Sequence, residues 1–428
     1  MTVSHLRTLA DWLDWQDILH PRRIDMGLER IKQVYQRLVV QPKPIVSILI
    51  GGTNGKGSCV AFFESIVIKQ GYKVGAFTSP HIIKYNERIK INGVCVSDEE
   101  LCRAFDRIEA VRNNISLSYF EFATLAALFL FNECDVDIQL LEVGMGGRLD
   151  AVNIIEPDAS IVSSIGLDHC QWLGHSRQQI GMEKAGIFRS DKPAIVGDLD
   201  PPESLLAHSH DINARLLSIN DDFSFTINPE GTWNWSGPKQ AYQALPKPGL
   251  LGTHQYRNAA SVLMSLKAIS DQLPVSEENI RRGLAEVKLT GRVQLVPGKI
   301  PVLLDVSHNL HSVAALLDHL NTTYPDKTLH AVFSMMKDKN VSGVLDLMRQ
   351  RIKFWYFVPL SVNRAIDQDT FLQLFSNDQS NLVYSGFLSF NNALDKAKDN
   401  AKIDKDSMIV VFGSFYLVTE FFNYQGNN

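Results

Sequence analysis

The chain has 428 residues, 45% hydrophobic and 21% charged, which is longer than one hydrophobic core ordinarily supports and too conventional for a disordered or fibrous class. Its 42 Lys and Arg face 47 Asp and Glu with no basic stripe, so no nucleic-acid partner is suggested. The longest apolar run, residues 123–131, falls far short of the ~20 a membrane helix needs, and the first residues are too polar and acidic for a signal peptide. The expectation is a cytoplasmic protein with no membrane partner.

In chain order, residues 45–50 read as a strand, followed by a glycine loop and a helix over 58–70 that ends at Gly71. Further strands are expected over 73–78, 136–143, 159–165 and 194–196. Their apolar runs are continuous rather than alternating, as in strands covered on both faces by helices. Residues 198–251, richer in Pro, Ser, Asn and Trp, read as irregular or antiparallel trimming. From residue 300 the alternation resumes, with strands over 302–306, 329–333, 354–358 and 408–412 and a helix over 311–320. The expected fold is α/β: a P-loop-containing doubly wound N-terminal domain over 1–296 and a smaller Rossmann-like C-terminal domain over 300–428, divided at Pro297-Gly298. The five cysteines (Cys59, Cys95, Cys102, Cys134, Cys170) are odd in number and form no C-x-x-C pair, so they read as reduced thiols.

The strongest local signal is Gly51-Gly52-Thr53-Asn54-Gly55-Lys56-Gly57-Ser58, between a strand and a helix. Such a loop turns backbone amides and a helix N-terminus towards phosphate oxygens, with Lys56 following the β- and γ-phosphates. It departs from the strict P-loop pattern, because Ile50 stands where the first glycine belongs and Gly57 separates Lys56 from Ser58. Glu142, at the end of an apolar strand, suits a Mg²⁺ ligand or a strand-end ion pair. Asp168-His169 follows another strand and reads as a second metal ligand or a structural histidine. Asp305-Val306-Ser307-His308-Asn309 fits ligand contact and helix capping equally. Lys184, on composition alone, is a solvated helix lysine.

In chain order the sequence carries Asp25-Met26-Gly27-Leu28-Glu29-Arg30, the glycine loop, Thr78-Ser79-Pro80-His81, Tyr119-Phe120-Glu121, the run from Glu142 to Asp150 and Leu167-Asp168-His169. Glu183-Lys184-Ala185-Gly186, Gly291-Arg292, the run from Asp305 to Asn309, Lys337-Asp338-Lys339 and Gly413-Ser414 follow. In this order the motifs resemble the Mur ligase superfamily, and within it folylpolyglutamate synthase/dihydrofolate synthase.

The resemblance implies an ATP-dependent ligase that adds L-glutamate to dihydropteroate and to reduced folates through an acyl phosphate. The alternatives are the polyglutamylating activity alone or another Mur-type amino-acid ligase. It implies ATP held by Thr53, Asn54, Gly55, Lys56, Gly57, Ser58, Asn258, Arg292 and Asp305, and two Mg²⁺ ions held by Ser79, Glu142 and His169. It also implies a carbamylated Lys184, His308 and Ser414 near incoming glutamate, and a pterin pocket at Asp25, Met26, Gly27, Phe120, Leu149, Asp150 and Ala151. Lys56, Lys184 and His308 are the expected catalytic residues, and a monomer is implied. Ser307, Val152 and Gly166 stand where the family usually has Ala, Thr and Ala.

Overall fold

The computed structural model describes residues 8–22, 24–376, 380–404 and 406–426. Two compact units form, one of Met1–Gly249 with Gln255–Val287 and the other of Leu250–His254 with Lys288–Asn428.

The first unit is built on eight strands: β1 (Val46–Gly51), β2 (Val74–Phe77), β3 (Ile89–Ile91), β4 (Val94–Cys95), β5 (Ile138–Glu142), β6 (Ala159–Val162), β7 (Pro193–Val196) and β8 (Arg215–Ser218). Their order is β4-β3-β2-β5-β1-β6-β7-β8; β3 and β4 run antiparallel, and the others pair in parallel. β5, β6 and β7 are buried at every position because helices cover both faces, which is why they read as unbroken apolar runs. The one polar pair in β1 and β5 is matched across the ladder: Gln139 Nε2 donates to Ser47 Oγ at 2.7 Å, and the two residues are register partners.

The region expected to be trimming holds an antiparallel sheet of β9 (Ser224–Ile227), β10 (Trp233–Gly237) and β11 (Gln240–Leu245). It also holds a helix, Glu203–Asp211, and β8, which extends the main sheet in parallel. β8 escapes a sequence reading because only its last two residues are buried, so it shows no apolar run.

The second unit carries β12 (Gln294–Val296), β13 (Val302–Leu304), β14 (Thr328–Phe333), β15 (Phe354–Phe357), β16 (Leu382–Tyr384) and β17 (Ser407–Phe412), in the order β12-β13-β17-β14-β15-β16. Only β12 is antiparallel, paired with β13, so Pro297-Gly298 lies in the connection between two paired strands and the chain changes units earlier, at Val287 and Lys288. No helix among the described residues is long and apolar enough to cross a membrane. All five cysteines are free thiols.

One buried group is expected to make this unit acid-sensitive. His330 on β14 is fully buried, its ring stacked 4.4 Å from Phe354 and its Nδ1 3.1 Å from Tyr356 Oη, and burial pushes its pKa down to about 4. The unfolded chain takes up this proton near pH 6.5 and the folded chain only near pH 4, so stability falls as pH drops through that window. His330→Phe is expected to remove roughly 2–3 kcal/mol of that acid sensitivity. Urea midpoints of variant and wild type at about pH 7 and about pH 4.5 measure it, and identical acid sensitivity would refute the assignment.

Candidate active site

β1 lies in the middle of the main sheet; the chain leaves it for β2 on one side and, after β5, crosses to β6 on the other. At such a reversal of strand order, a doubly wound sheet opens a crevice at the carboxyl ends of its strands. Residues 51–56 fill the end of β1. Gly52 and Gly55 adopt φ of +138° and +91°, a region other residues rarely occupy. Space forbids side chains as well, since a Cβ on Gly52 would stand 2.1 Å from Ser163 Oγ and one on Gly55 2.7 Å from Asn258 Oδ1.

The loop takes its shape from the segment after β6. Ser163 Oγ donates to the Asn54 carbonyl at 2.7 Å, the Thr53 N–H donates to the Ser164 carbonyl at 2.7 Å, and the Asn54 N–H donates to Ser164 Oγ at 3.1 Å. Thr53 Oγ1 both donates to the Gly166 carbonyl, at 3.1 Å, and accepts from the Gly166 N–H, at 3.0 Å. With Gly55 as its N-cap, the helix Lys56–Gln70 begins at Lys56, two residues before the expected start at Ser58. Lys56 Nζ folds back over the loop, 3.2 Å from the Gly52 carbonyl and 3.3 Å from that of Thr53. Backbone amides, helix N-terminus and one ammonium therefore converge on a space suited to phosphate oxygens.

Glu142 ends β5, the strand beside β1, and its Oε2 accepts the Ser79 N–H at 3.1 Å. His169 lies three residues beyond Gly166, with φ +52°, at the start of the short helix Cys170–Leu173. No three His, Cys, Asp or Glu side chains among the described residues are grouped as a complete metal cage. A hydroxyl and a carboxylate beside a phosphate loop fit an ion that takes its remaining oxygen ligands from phosphate and water, which is how Mg²⁺ is ordinarily bound.

Lys184 corrects the composition-based expectation, because it is buried rather than solvated. It shares the buried face of the helix Arg177–Ala185 with Ile180 and Gly181, and the i, i+4 spacing from Ile180 was the available signal. Burial and the charge of Lys56 push its pKa down to about 7, against the attraction of Asp168 and Asp150. Asp150 is itself buried, its carboxylate accepting N–H bonds from Met145 at 2.8 Å and Val152 at 3.1 Å, and burial pushes its pKa up to about 6. The loop from Glu142 to Asp150 is thus stapled by its last residue and docked on the end of that helix, where the Arg148 N–H donates to the Glu183 carbonyl at 2.8 Å.

Close approach at Gly144 and Gly146 brings in the other candidates. A Cβ on Gly144 would lie 2.6 Å from the Phe120 ring, and one on Gly146 3.8 Å from Met26 Cε. Leu149 is half-buried in the same loop, and Ala151, buried, opens the short helix Ala151–Ile154 that follows it. Gly27 precedes the helix Glu29–Leu38. Asp25 is held below the usual carboxylate range by a hydrogen bond from His20 and by the Arg30 guanidinium. Arg30 also pairs with Glu121 at 3.3 Å. The sequence reading singled out neither Arg30 nor the Ser163-Ser164 pair as functional side chains; Glu121 and the loop at residues 51–54, which they meet, are remote in the chain.

In the second unit, Asp305 follows β13 and is buried, accepting N–H bonds from Val293 and Ser307, each at 2.8 Å; burial raises its pKa. The Arg292 guanidinium lies 5.3 Å and the His308 ring 5.8 Å from the ring of Phe415, a residue not singled out in advance. Ser414, just before it, accepts the Tyr416 N–H at 3.2 Å. Capping holds for Asn309, whose Oδ1 accepts the Ser312 N–H at 2.9 Å at the start of Leu310–Thr323.

Residues 291–415 match the family model of the Mur ligase glutamate ligase domain. The chain is 38% identical to the dihydrofolate synthase/folylpolyglutamate synthase of Escherichia coli (strain K12), over 96% of this chain and 94% of that protein. Among solved structures, E. coli FolC in complex with DHPP and ADP is similar with a TM-score of 0.92 and 36% identity, covering 99% of this chain and 98% of that one. A bifunctional folylpolyglutamate synthase/dihydrofolate synthase with Mn, AMPPNP and L-glutamate bound is similar with a TM-score of 0.89 and 37% identity, covering 98% of both chains. The chain therefore belongs to the dihydrofolate synthase/folylpolyglutamate synthase family, with a Mur-type glutamate ligase domain over residues 291–415.

Proposed function

We propose that this chain is an ATP-dependent ligase that joins L-glutamate to dihydropteroate, giving dihydrofolate, and adds further glutamates to reduced folates. The observation that carries the reading is the gathering of Lys56, the Ser79–Glu142 pair and buried Lys184 around one strand-end crevice, in a chain similar over nearly its full length to enzymes named for both activities. Ser79, Glu142 and His169 would hold the divalent ions, two in this reading, and bound Mg²⁺ neutralises phosphate charge as a Lewis acid.

The chain's own residues do the rest. The loop amides from Gly55 to Ser58, with Lys56, hold the triphosphate so that the acceptor carboxylate lies in line with the γ-phosphorus, and Thr53, Asn54 and Asn258 complete the ATP site. Phosphoryl transfer gives an acyl phosphate and ADP; the glutamate amine attacks the acyl carbon, and inorganic phosphate leaves. In the second unit, Arg292 and Asp305 serve ATP, and His308 and Ser414 serve the incoming glutamate. Asp25, Met26, Gly27, Phe120, Leu149, Asp150 and Ala151 line the acceptor pocket. Lys184 adds CO₂ through its neutral amine and releases a proton, becoming a carbamate whose oxygens would help to hold a divalent ion.

Phosphate release by the purified protein with ATP, Mg²⁺ and L-glutamate tests the reading, with dihydropteroate, tetrahydrofolate or a muropeptide precursor as acceptor. Release with both pterin acceptors is expected. Release with tetrahydrofolate alone would leave only the polyglutamylating activity, and release with the muropeptide alone would replace the reading. The same reading takes the enzyme as a cytoplasmic monomer that works on small molecules, in keeping with its near-balanced charge; sedimentation as a dimer at assay concentration would remove the monomer.

A further inference from the structure

The helix Leu9–Leu19 ends at His20, which the mechanism above does not use. Its side chain is only 7% exposed, yet both ring nitrogens are engaged: Nδ1 lies 2.9 Å from Ser116 Oγ and Nε2 3.0 Å from Asp25 Oδ2. Asp25 Oδ2 also accepts from Arg30 Nη1 at 2.9 Å, while Arg30 Nη2 donates to the Asp25 carbonyl at 2.8 Å. Oδ2 thus has two donors, which fills its acceptor capacity. Among the described residues, Oδ1 meets only the exposed Arg22 guanidinium, at 3.9 Å, a pair too long and too solvated to fix it.

We propose that His20 is a positioning residue for acceptor binding: it locks the Asp25 carboxylate so that Oδ1 is presented to an N–H donor of the acceptor's nitrogen heterocycle. This rests on the reading that Asp25 lines the acceptor pocket. An ionised carboxylate only accepts hydrogen bonds, so Nε2 carries a proton towards Oδ2, while Nδ1 shares a hydrogen bond with the Ser116 hydroxyl. Arg30 alone would let the carboxylate pivot about the shared oxygen, because the same guanidinium is also drawn to Glu121 at 3.3 Å. A second donor from a different helix removes that freedom. Ser116, just ahead of the helix Tyr119–Glu133 that carries Phe120, ties the ring to the wall of the same pocket.

The test is the Michaelis constant for each of the three substrates in His20→Ala, His20→Gln and Ser116→Ala. His20→Ala is expected to raise KM for dihydropteroate about tenfold, with kcat and the KM values for ATP and glutamate within about twofold of wild type. His20→Gln, which offers an N–H near the place of Nε2, is expected to recover most of the loss, and Ser116→Ala to raise the same KM about threefold. An unchanged KM for dihydropteroate, an equal rise in all three constants, or a glutamine variant no better than alanine would each overturn the proposal. Should His20→Ala fail to fold, the other two variants decide by the same criteria. A wild-type enzyme that is silent with dihydropteroate would instead sink the acceptor reading itself, and this proposal with it.

Discussion

Lys56→Met is expected to lower phosphate release about 10³-fold while leaving the melting temperature nearly unchanged. The ammonium folds over its own loop, bonded to the Gly52 and Thr53 carbonyls, so its charge lies where the β- and γ-phosphates would sit against the loop amides. Among the described residues, those two carbonyl bonds are the only side-chain hydrogen bonds Lys56 makes, and it is half-buried, so the fold depends little on it. The loss should fall mainly on kcat, because charge builds on the phosphoryl oxygens most strongly during transfer. Arginine is not expected to substitute, since a planar guanidinium does not fit between two carbonyls that a single nitrogen spans. Retention of activity within tenfold in Lys56→Met would mean that residues 51–58 do not form the phosphate cradle.

That loop was legible in the sequence because the residues that mark it lie close together in the chain. Two glycines with positive φ, a lysine at the first helical position and an apolar strand before them lie within a dozen residues, and each acts on its immediate neighbours. The central parallel strands were legible for a related reason: burial on both faces leaves no polar position to break the run. Edge strands were not, since β4 is exposed and β8 only half-buried, and their existence depends on a neighbour already being in place.

What supports the loop was equally hidden. Asn54 and Ser164 are 110 residues apart, and Ser116 and His20 are separated by 96. Nothing in either stretch announces the other, because the hydrogen bonds exist only once the sheet has brought β1 beside β6 or a helix end beside a loop. Lys184 shows the same gap from the other direction. Its composition suggested a solvated lysine; the spacing from Ile180 puts it on the helix's buried face, and the Glu142-to-Asp150 loop packs against the end of that helix.

Burial is also what makes the second large effect arise at Lys184, where replacement by Met is expected to cost about 10³-fold in kcat/KM. A buried ammonium facing the like charge of Lys56 is unfavourable, and the pKa of about 7 means that at neutral pH about half the amine is already neutral, against well under a thousandth for an ordinary lysine. Only the neutral amine adds CO₂, and a carbamate formed there would replace a repelled cation with an anion that Lys56 attracts. Activity should therefore fall as pH drops below about 7, where the amine takes up its proton and the carbamate is lost. Intact mass under non-acidic conditions should exceed the sequence mass by one CO₂ in the wild type and not in Lys184→Met. Removal of dissolved CO₂ should silence the wild type until bicarbonate is returned, and a small carboxylic acid should partly restore Lys184→Ala by occupying the vacated space. A fully active enzyme without the added mass would leave Lys184 as an amine whose low pKa serves some other step.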